Sequence, residues 1–526
     1  MNVNLYGCDG KWLMVDLGLT FAGADYPGID LVLPDLEFIE DRAKDLVGIV
    51  LTHGHEDHIG AIPYLAADLG VPLYANPFTA TLIRGKLEEE GLAKEVKVNT
   101  VKPGQKLQLG PFGVELVRLA HSIPDMDAAL IETPYGRIFH TGDWKLDDDQ
   151  VLGQSATADQ MRAIGDKGIL ALVCDSTNAF NEDASGTEGS VRDGLLKAVK
   201  AAKGRVVVTS FASNAARLST LGWVAQQTGR QVCVAGRSLD RILTAARSNG
   251  YLKDFPPTVD FETAMNLPAN KCLVIATGGQ GEDRAALARI ASGQHQIKVG
   301  EGDTVIFSSK QIPGNEVAIG RIQNSLARQN VIMVTEKQAH VHVSGHPGRP
   351  ELASMYDWIR PEILVPVHGE RRHMAEQARF GLLQGIPRAI VQSNGDVVRL
   401  APKGPDIIGR ERTGRLILDG DVILPADGAT IQERRRISLH GQLSVAIAVD
   451  EGTANLVGEP EVRMQGIPVE DDRDDFIAEL REAAAEATGK ERDLDKLREK
   501  VRLAVRRVAT DWTGKKPIVD VLVVRI

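Results

Sequence analysis

The stretch LTHGHEDHIG, residues 51–60, places three histidines and two acids within six positions, directly after an apolar run. On extended backbone, residues two apart point the same way, so His53 and His55 can share one ion. Asp57 and His58 lie on the turn into the next helix and can face a second ion. Imidazole and carboxylate groups suit zinc, and also manganese in sites richer in oxygen. The pattern H-x-H-x-D-H therefore predicts a site for two divalent metal ions.

Two ions need more than four ligands, and the sequence offers three more titratable residues where β-rich runs stop. His121 ends VELVRLA, Asp143 follows the run RIF within FHTGDWK, and His368 follows ILVPV within PVHGE. We expect these side chains to meet the H-x-H-x-D-H turn at one edge of a sheet. His140, three residues before Asp143, is a candidate to support a ligand from behind.

The elements that position these residues change in character along the chain. Residues 11–175 read as short strands with one clear helix, predicted over Ile59–Leu69. After about residue 188, strands alternate with amphipathic stretches of 10 to 15 residues, which indicates βαβ units and a parallel sheet. Two charged helical stretches and the final run PIVDVLVVRI predict a small α/β appendage that begins near residue 465.

Length and composition narrow the class of protein. A chain of 526 residues predicts two or three domains. The four cysteines are scattered without a CxxC pair, no apolar run approaches the length of a membrane span, and no secretory signal is visible at MNVNLYG. We therefore expect a reduced, cytoplasmic protein with no membrane partner. The net charge of −10 argues against a surface coated with basic residues, but not against a positive channel or bound metal.

The ordered motifs resemble those of the metallo-β-lactamase superfamily, in which an αββα sandwich holds two metals at one sheet edge. More than 200 residues separate Asp143 from His368, and the βαβ-patterned block between them resembles the insertion of the β-CASP branch. Within that branch the chain is most similar to the ribonuclease J family. The segments that carry this resemblance are LTHGHEDHIGAIPYL, AHSIPD, GRIFHTGDWK, LVCDSTNA, SFASN, AGRS, IPGNE, HVSGH and PVHGE.

The resemblance implies an α/β fold made of three parts: the αββα sandwich, an inserted βαβ-type β-CASP domain and a small C-terminal α/β domain. The implied division is a first sandwich part at 1–188, the β-CASP domain at 189–345, a second sandwich part with a linker at 346–464, and the C-terminal domain at 465–526.

The resemblance also implies a role for each candidate metal ligand. One ion would be held by His53, His55 and His121, and the other by Asp57, His58 and His368, with Asp143 bridging the two. Zinc is the favoured metal and manganese the alternative. Such a pair of ions makes hydroxide available at neutral pH for in-line attack on phosphorus.

Further residues would handle the proton and the substrate. In the family pattern Asp175 and His346 are the candidates for proton transfer. The HVSGH segment would cradle the scissile phosphate through the residues His342, Val343, Ser344, Gly345 and His346. A pocket for a 5′-monophosphate is implied in the inserted domain, and its candidates are Ser213, Asn214, Arg237, Ser238 and Gln280.

Three departures from the family pattern concern the edges of the molecule and its substrate loops. The chain starts at MNVNLYG without the Gly-rich E-I-G segment that relatives carry, which puts the sandwich edge in doubt. Gly279 stands where we expect serine, and Lys310 stands where we expect arginine. Both positions lie in expected substrate loops, so they bear on affinity rather than on the metal chemistry.

The resulting hypothesis is a metal-dependent ribonuclease of RNA maturation and decay, including rRNA processing and mRNA decay. It would act 5′→3′ on single-stranded RNA with a 5′-monophosphate and would also cut internally. The alternative is a β-CASP nuclease that acts mainly on DNA. The long insertion argues against a thioester or lactam hydrolase, and the seven filled ligand positions argue against a non-enzymatic scaffold. We expect a homodimer or higher homo-oligomer, with RNA-decay proteins as possible partners.

Overall fold

The computed structural model of the chain describes residues 1–23, 25–312, 314–489 and 491–526, so Pro313 of the IPGNE motif lies outside it. Two units are separable: residues 1–20 with 34–413, and residues 21–33 with 414–526.

Two sheets of the first unit pack against each other and share one apolar core. The five-stranded sheet has the order Asn4–Cys8, Lys11–Val15, Leu46–Leu51, Leu73–Ala75, Val98–Thr100. The seven-stranded sheet has the order Arg388–Ala389, Ile363–Val367, Ala171–Asp175, Gly136–His140, Asp127–Thr133, Phe112–Arg118, Lys106–Leu109. Buried side chains from both, such as Val15, Val50, Ile131 and Val173, form the shared core, as one apolar face of each sheet requires.

Helices accompany each sheet, which completes the αββα sandwich that the sequence predicts. Helix Glu37–Glu40 and the 3₁₀ turn Ala43–Asp45 precede strand Leu46–Leu51 of the five-stranded sheet, and helices Glu56–Ile59, Ile62–Leu69 and Pro77–Glu89 follow strands of that sheet. Those beside the seven-stranded sheet are Ala158–Gly165, Arg349–Ile359 and Arg371–Leu383. Met161 and Met355 bury their side chains against Leu172 and Leu364 of that sheet.

The single helix predicted over Ile59–Leu69 is two helices, Glu56–Ile59 and Ile62–Leu69. Pro63 lies in the first turn of the second helix, where a missing N–H costs nothing, but the same ring disfavours one continuous helix. The break leaves the first helix as a single turn. This turn carries Asp57 and His58 and directs them to the sheet edge.

The block after residue 188 forms the predicted parallel sheet of βαβ units. Its strand order is Thr258–Val259, Gln231–Ala235, Cys272–Ala276, Val206–Thr209, Thr304–Phe307, Ile332–Val334. Every described pairing in this sheet is parallel. The accompanying helices are Glu188–Ala201, Ala215–Thr228, Arg237–Ser248, Phe261–Asn266, Ala269–Lys271 (3₁₀), Ala286–Ala291 and Glu316–Ala327.

The remaining elements are smaller sheets. A hairpin of Asp396–Arg399 and Asp406–Arg410 ends the first unit. In the second unit a four-stranded sheet has the order Val422–Pro425, Arg415–Asp419, Leu31–Pro34, Thr20–Phe21. A three-stranded sheet has the order Glu461–Gln465, Gln442–Val449, Ile518–Arg525, and the helices of this unit are Ala429–His440, Arg473–Thr488 and Leu494–Thr513.

The C-terminal domain starts earlier than the predicted boundary near residue 465. Strand Gln442–Val449 is the central strand of the three-stranded sheet and pairs with both Glu461–Gln465 and Ile518–Arg525. Its alternate residues are buried against helix Leu494–Thr513, whose stripe of Leu497, Val501, Val505 and Ala509 repeats every four residues. A domain of 465–526 alone would lack this strand. Among the described residues, no helix has the length and apolarity to cross a membrane.

A chain of buried polar contacts ties the seven-stranded sheet to the inserted domain. Lys145 Nζ lies 3.0 Å from Asp147 Oδ2, and the same carboxylate accepts a hydrogen bond from the backbone N–H of Glu188 at 2.9 Å. Glu188 pairs with Arg217 at 3.2 Å, with both side chains at most 2% exposed. Arg217 Nη1 then donates to the carbonyl of Val341 at 3.0 Å. These buried contacts therefore fix Val341, the residue directly before the HVSGH segment.

We expect Glu188→Ala to lower the free energy of unfolding by about 3–5 kcal/mol, because it leaves the buried Arg217 guanidinium without its carboxylate. Asp159→Ala is the matched control, since the Asp159–Arg162 pair is solvated, with Asp159 93% exposed. Its loss costs about 1 kcal/mol or less. Urea unfolding followed by circular dichroism measures both. Equal midpoints for the two variants would contradict the importance of the buried pair.

Candidate metal centre

The seven predicted ligand side chains come together where strands of both sheets end. They form two overlapping groups, and within each group one ligand atom per residue lies within 4.8 Å of all the others. The first group is His53, His55, His121 and Asp143, and the second is Asp57, His58, Asp143 and His368. Asp143 belongs to both, which is the bridging position that the resemblance implies.

Ring nitrogens converge in the first group. His55 Nδ1 lies 3.0 Å from His53 Nε2 and 3.2 Å from His121 Nε2. Asp143 Oδ2 lies 3.8 Å from His53 Nε2 and 3.9 Å from His121 Nε2. Three imidazoles and one carboxylate oxygen therefore face one small volume.

The second group is richer in oxygen. His58 Nε2 lies 3.5 Å from Asp57 Oδ2 and 3.3 Å from Asp143 Oδ2. His368 Nε2 lies 3.1 Å from Asp57 Oδ2 and 3.2 Å from Asp143 Oδ1. Because His368 comes from the strand end at Val367, this group joins residues more than 300 positions apart.

The donor atoms fit divalent metal ions. Within the first group the ring nitrogens His53 Nε2, His55 Nδ1 and His121 Nε2 lie close together although each ring is buried, and Asp143 presents both of its carboxylate oxygens to the two groups. Neutral imidazoles offer only lone pairs to one another at this spacing, so their convergence on a carboxylate indicates a site built for a cation. Imidazole and carboxylate groups at this spacing are suitable ligands.

The two groups differ in their protonation. Burial and the neighbouring imidazoles lower the pKa of His53 and His121, and burial lowers the pKa of His55 to about 4. These rings therefore present lone pairs at neutral pH. In the second group burial opposes the charged ring, but the carboxylates of Asp143 and Asp57 outweigh it and raise the pKa of His368 to about 9.

Sequence reasoning missed two residues that orient ligands from behind. Asp16 Oδ2 accepts a hydrogen bond from His58 Nδ1 at 2.7 Å, and Asp16 Oδ1 accepts one from the backbone N–H of Thr52 at 2.8 Å. Thr177 Oγ1 lies 2.9 Å from His368 Nδ1. Such partners fix the tautomer and the ring orientation of a ligand. An acid at the end of the apolar run in MVDLG was the available signal for Asp16.

His140, the predicted supporting residue, lies outside the two ligand groups. Its Nδ1 is 2.7 Å from the Tyr6 hydroxyl. Burial lowers the pKa of His140 to about 4, so its ring is neutral at physiological pH.

Asp175 and His346 form a pair at the rim of the metal groups. Asp175 Oδ2 lies 2.7 Å from His346 Nδ1, and Asp175 Oδ1 accepts the backbone N–H of Thr177 at 2.8 Å. The ring of His346 is 5.2 Å from that of His121 and 5.5 Å from that of His368, centroid to centroid. Burial opposes its charge, but Asp175 outweighs this and raises the pKa of His346.

A hydrogen bond joins the HVSGH segment directly to the candidate ligand His121. The carbonyl of Gly345 lies 2.6 Å from His121 Nδ1. Asn178 Nδ2 donates to Ser344 Oγ at 2.8 Å and to the carbonyl of His346 at 3.0 Å. Asn178 was not singled out from the sequence, although it lies in the LVCDSTNA motif.

In this segment the side chain of Val343 is buried and that of His342 is half-buried. Val343 is 6% exposed. It packs against Gly186, where an added Cβ would lie 2.8 Å from Val343 Cγ1. His342 is half-buried, and burial lowers its pKa to about 3. The neutral ring of His342 is therefore a weak partner for phosphate.

The residues predicted for the 5′-phosphate pocket divide into two sets. Asn214 is buried and caps helix Ala215–Thr228 by accepting the backbone N–H of Arg217 at 2.8 Å. Gln280 uses its amide to donate to the carbonyl of Lys310 at 2.7 Å and to accept from Ile312. These two side chains are therefore occupied in holding loops. The other three are accessible: Arg237 and Ser238 are exposed, and Ser213 is half-buried.

Gly279, the departure from the expected serine, touches a neighbouring loop. A Cβ at this position would lie 2.8 Å from Ser309 Oγ, so a side chain would force that hydroxyl to move.

Family models match most of the chain. The model described as “Metallo-beta-lactamase superfamily” matches residues 2–171, and “Ribonuclease J, beta-CASP domain” matches residues 203–326. “Zn-dependent metallo-hydrolase RNA specificity domain” matches residues 331–381, and “Ribonuclease J C-terminal domain” matches residues 429–526.

Full-length relatives and a solved structure agree with these matches. Ribonuclease J of Sinorhizobium meliloti is 41% identical, with 100% of this chain and 95% of that protein covered. Ribonuclease J 1 of Streptococcus pyogenes is 36% identical, with 90% and 86% covered. A crystal structure of a protein of unknown function from Enterococcus faecalis V583 matches with a TM-score of 0.53 at 16% identity, covering 79% of this chain and 96% of that one. This last likeness concerns the fold alone.

We expect metal binding at pH 7 to release protons. With a pKa of about 9, His368 is protonated at pH 7, and a metal ion at its Nε2 must displace that proton. The release should fade as the pH rises through 9. His368→Gln should release about one proton fewer per chain at pH 7, while His295→Gln, outside the ligand groups, should match the parent. Calorimetric titration of the metal-free protein with zinc, in two buffers of different ionisation enthalpy, counts the protons. Identical counts for parent and His368→Gln would contradict this expectation.

Proposed function

Because the chain belongs to the ribonuclease J family, we propose that it degrades single-stranded RNA from a 5′-monophosphate end in the 5′→3′ direction and also cuts internally. At the coarser level it is a metal-dependent hydrolytic nuclease that acts on RNA. Beyond this, we propose the 5′→3′ direction of degradation, the preference for a 5′-monophosphate end and the residues that carry the reaction.

Two divalent cations are the proposed cofactors, with zinc favoured and manganese as the alternative. His53, His55 and His121 would hold one ion and Asp57, His58 and His368 the other, with Asp143 between them. When bound, such a pair lowers the pKa of water to near neutrality and neutralises charge on the scissile phosphate.

The protein's own residues would supply the proton that the leaving ribose oxygen needs. Asp175 holds His346 through Nδ1, which leaves the Nε2 atom of His346 free to face the substrate. The raised pKa keeps a proton on the ring near neutral pH, as a general acid requires. The geometry of this pair beside the seven-residue cluster is the observation that carries the proposed phosphodiester hydrolysis.

Two further sites would bind phosphate groups of the RNA. Ser344 and backbone N–H groups of the HVSGH segment lie beside the Asp175–His346 pair and would cradle the scissile phosphate. Ser213, Arg237 and Ser238 would bind the 5′-phosphate with the N–H groups at the start of helix Arg237–Ser248. The occupied amides of Asn214 and Gln280 would support these loops rather than touch the phosphate.

The proposed assembly is a cytoplasmic homodimer or higher homo-oligomer. Support comes from the C-terminal strand, where Leu522 and Val524 are 64% and 53% exposed on the face away from the helices. Sedimentation velocity at several protein concentrations would test the oligomer, and a monomer throughout would contradict it.

We expect the Asp57→Ala, His58→Ala double variant to lose RNA cleavage, because the second ion then lacks two of its four ligands. Parent and variant would receive the same RNA with a 5′-monophosphate or a 5′-triphosphate, with added zinc or manganese. Mononucleotides released from the monophosphate end, by the parent only, would support the proposal.

Two other results would revise the proposal. Internal cuts that ignore the 5′ end would retain the metal mechanism and exclude the 5′-phosphate pocket. Cleavage of single-stranded DNA without cleavage of RNA would favour a nuclease that acts mainly on DNA.

We expect Asp175→Asn to lower kcat on RNA by roughly 10²–10⁴-fold, with a small change in KM, because His346 loses the partner that keeps it protonated. Bis(4-nitrophenyl) phosphate provides the internal control, since its leaving group needs no proton and its hydrolysis should fall far less. Asp159→Asn, at an exposed carboxylate, should leave both rates unchanged. An equal loss on both substrates would point to a damaged metal site instead of a missing acid.

A further inference from the structure

Asn2 lies directly against the second ligand group. Its side-chain Nδ2 is 3.0 Å from His58 Nε2, 3.2 Å from Asp57 Oδ2 and 3.1 Å from the carbonyl of Asp57. All three atoms belong to the two ligands that the one-turn helix Glu56–Ile59 contributes.

Two backbone hydrogen bonds hold Asn2, and they fix the position from which its side chain extends. Its N–H donates to the carbonyl of Asp57 at 2.8 Å, and its carbonyl accepts the N–H of Gly18 at 3.0 Å. Gly18 is needed for this approach, because a Cβ there would lie 1.7 Å from the carbonyl oxygen of Asp57.

The hydrogen-bonding state of His58 decides what the amide does. His58 Nδ1 bonds Asp16 Oδ2 at 2.7 Å, so the neutral ring that a metal ion requires has its lone pair on Nε2. The Nδ2 of Asn2 donates to the Asp57 carboxylate at 3.2 Å. A cation that takes the lone pair of His58 leaves this bond intact.

Asp57 is the ligand with the greatest need for such support. Its side chain is 36% exposed, against 2% for Asp143 and His58 and 18% for His368. A carboxylate at a solvated rim samples more orientations than a buried one. A fixed donor on the protein side restricts it to those that face the ion.

We propose that Asn2 is a positioning residue of the second metal site, holding the carboxylate of Asp57 and the approach to His58 Nε2. The inference rests on the metal assignment of the proposed function and adds a residue to it. Asn2 acts through Asp57 and His58, so its loss affects the second ion and not the first.

Asn4 provides the matched control. It lines the same small cavity as Asn2, beside His58, His140 and His368. No described hydrogen bond joins the Asn4 side chain to a ligand, so Asn4→Ala removes an amide from the cavity without touching the metal groups.

The experiment titrates the metal-free full-length chain with zinc and, separately, with manganese, and measures the affinity of each of the two ions by calorimetry. Metal content after dialysis gives the stoichiometry. For Asn2→Ala we expect a parent-like first ion and a second ion bound about 10–100-fold more weakly, as is typical when a residue supporting a ligand is removed. Asn4→Ala should match the parent. Asn2→Leu, which keeps the branching at Cγ but not the donor, should match Asn2→Ala.

Two outcomes would overturn the inference: parent-like binding of both ions by Asn2→Ala and Asn2→Leu, or equal weakening of both ions. Asp57→Ala separates this inference from the metal assignment. If Asp57→Ala still bound two ions with parent affinities, the assignment of the second site would itself be wrong. A second ion lost by Asp57→Ala but retained by both Asn2 variants would reject the role of Asn2 alone.

Discussion

Seven titratable side chains, Asp143 among them, must face one another in a largely buried cluster. Desolvation and mutual repulsion oppose this arrangement, and they are visible in the lowered pKa of His53 and His121. The protein offsets the cost by placing Asp143 in both groups, where its carboxylate faces His58 and His368. Two divalent cations at these groups would complete the compensation. The surrounding structure is arranged to hold these ligands at their spacing.

The support for the ligands is layered. Asp16 and Thr177 bond the far nitrogens of His58 and His368, so the nitrogens that face the site are defined. His121 is bonded to the carbonyl of Gly345, which couples a ligand to the segment proposed to cradle phosphate. That segment is held in turn by Asn178 and, through Val341, by Arg217. The inserted domain is thereby joined to the metal centre by contiguous contacts.

Predictions from the sequence succeeded where local chemistry decides and failed where packing decides. The clustering of the ligands followed from residue type at strand ends, and the parallel sheet followed from the alternation of strands and helices. The C-terminal boundary was misplaced because strand Gln442–Val449 is assigned by its partner Ile518–Arg525, some 70 residues later. Asn214 and Gln280 stay predictions as phosphate ligands, and in the structure their amides bond neighbouring backbone. Nothing in the local sequence distinguishes an amide that binds phosphate from one that bonds neighbouring backbone.

The sequence alone determined the candidate metal chemistry of this protein: H-x-H-x-D-H on a strand-to-helix turn, further candidate ligands at three strand ends, and a long insertion before His368. Residue type and spacing suffice there because a metal ion needs several lone pairs close together. The side chains of one turn supply four such ligands. Only the tertiary structure decided which residues stand behind the ligands. Asn2, Asp16, Thr177 and Asn178 are ordinary polar residues in sequence, and they acquire their positions because separate strands end at the same edge of the sandwich.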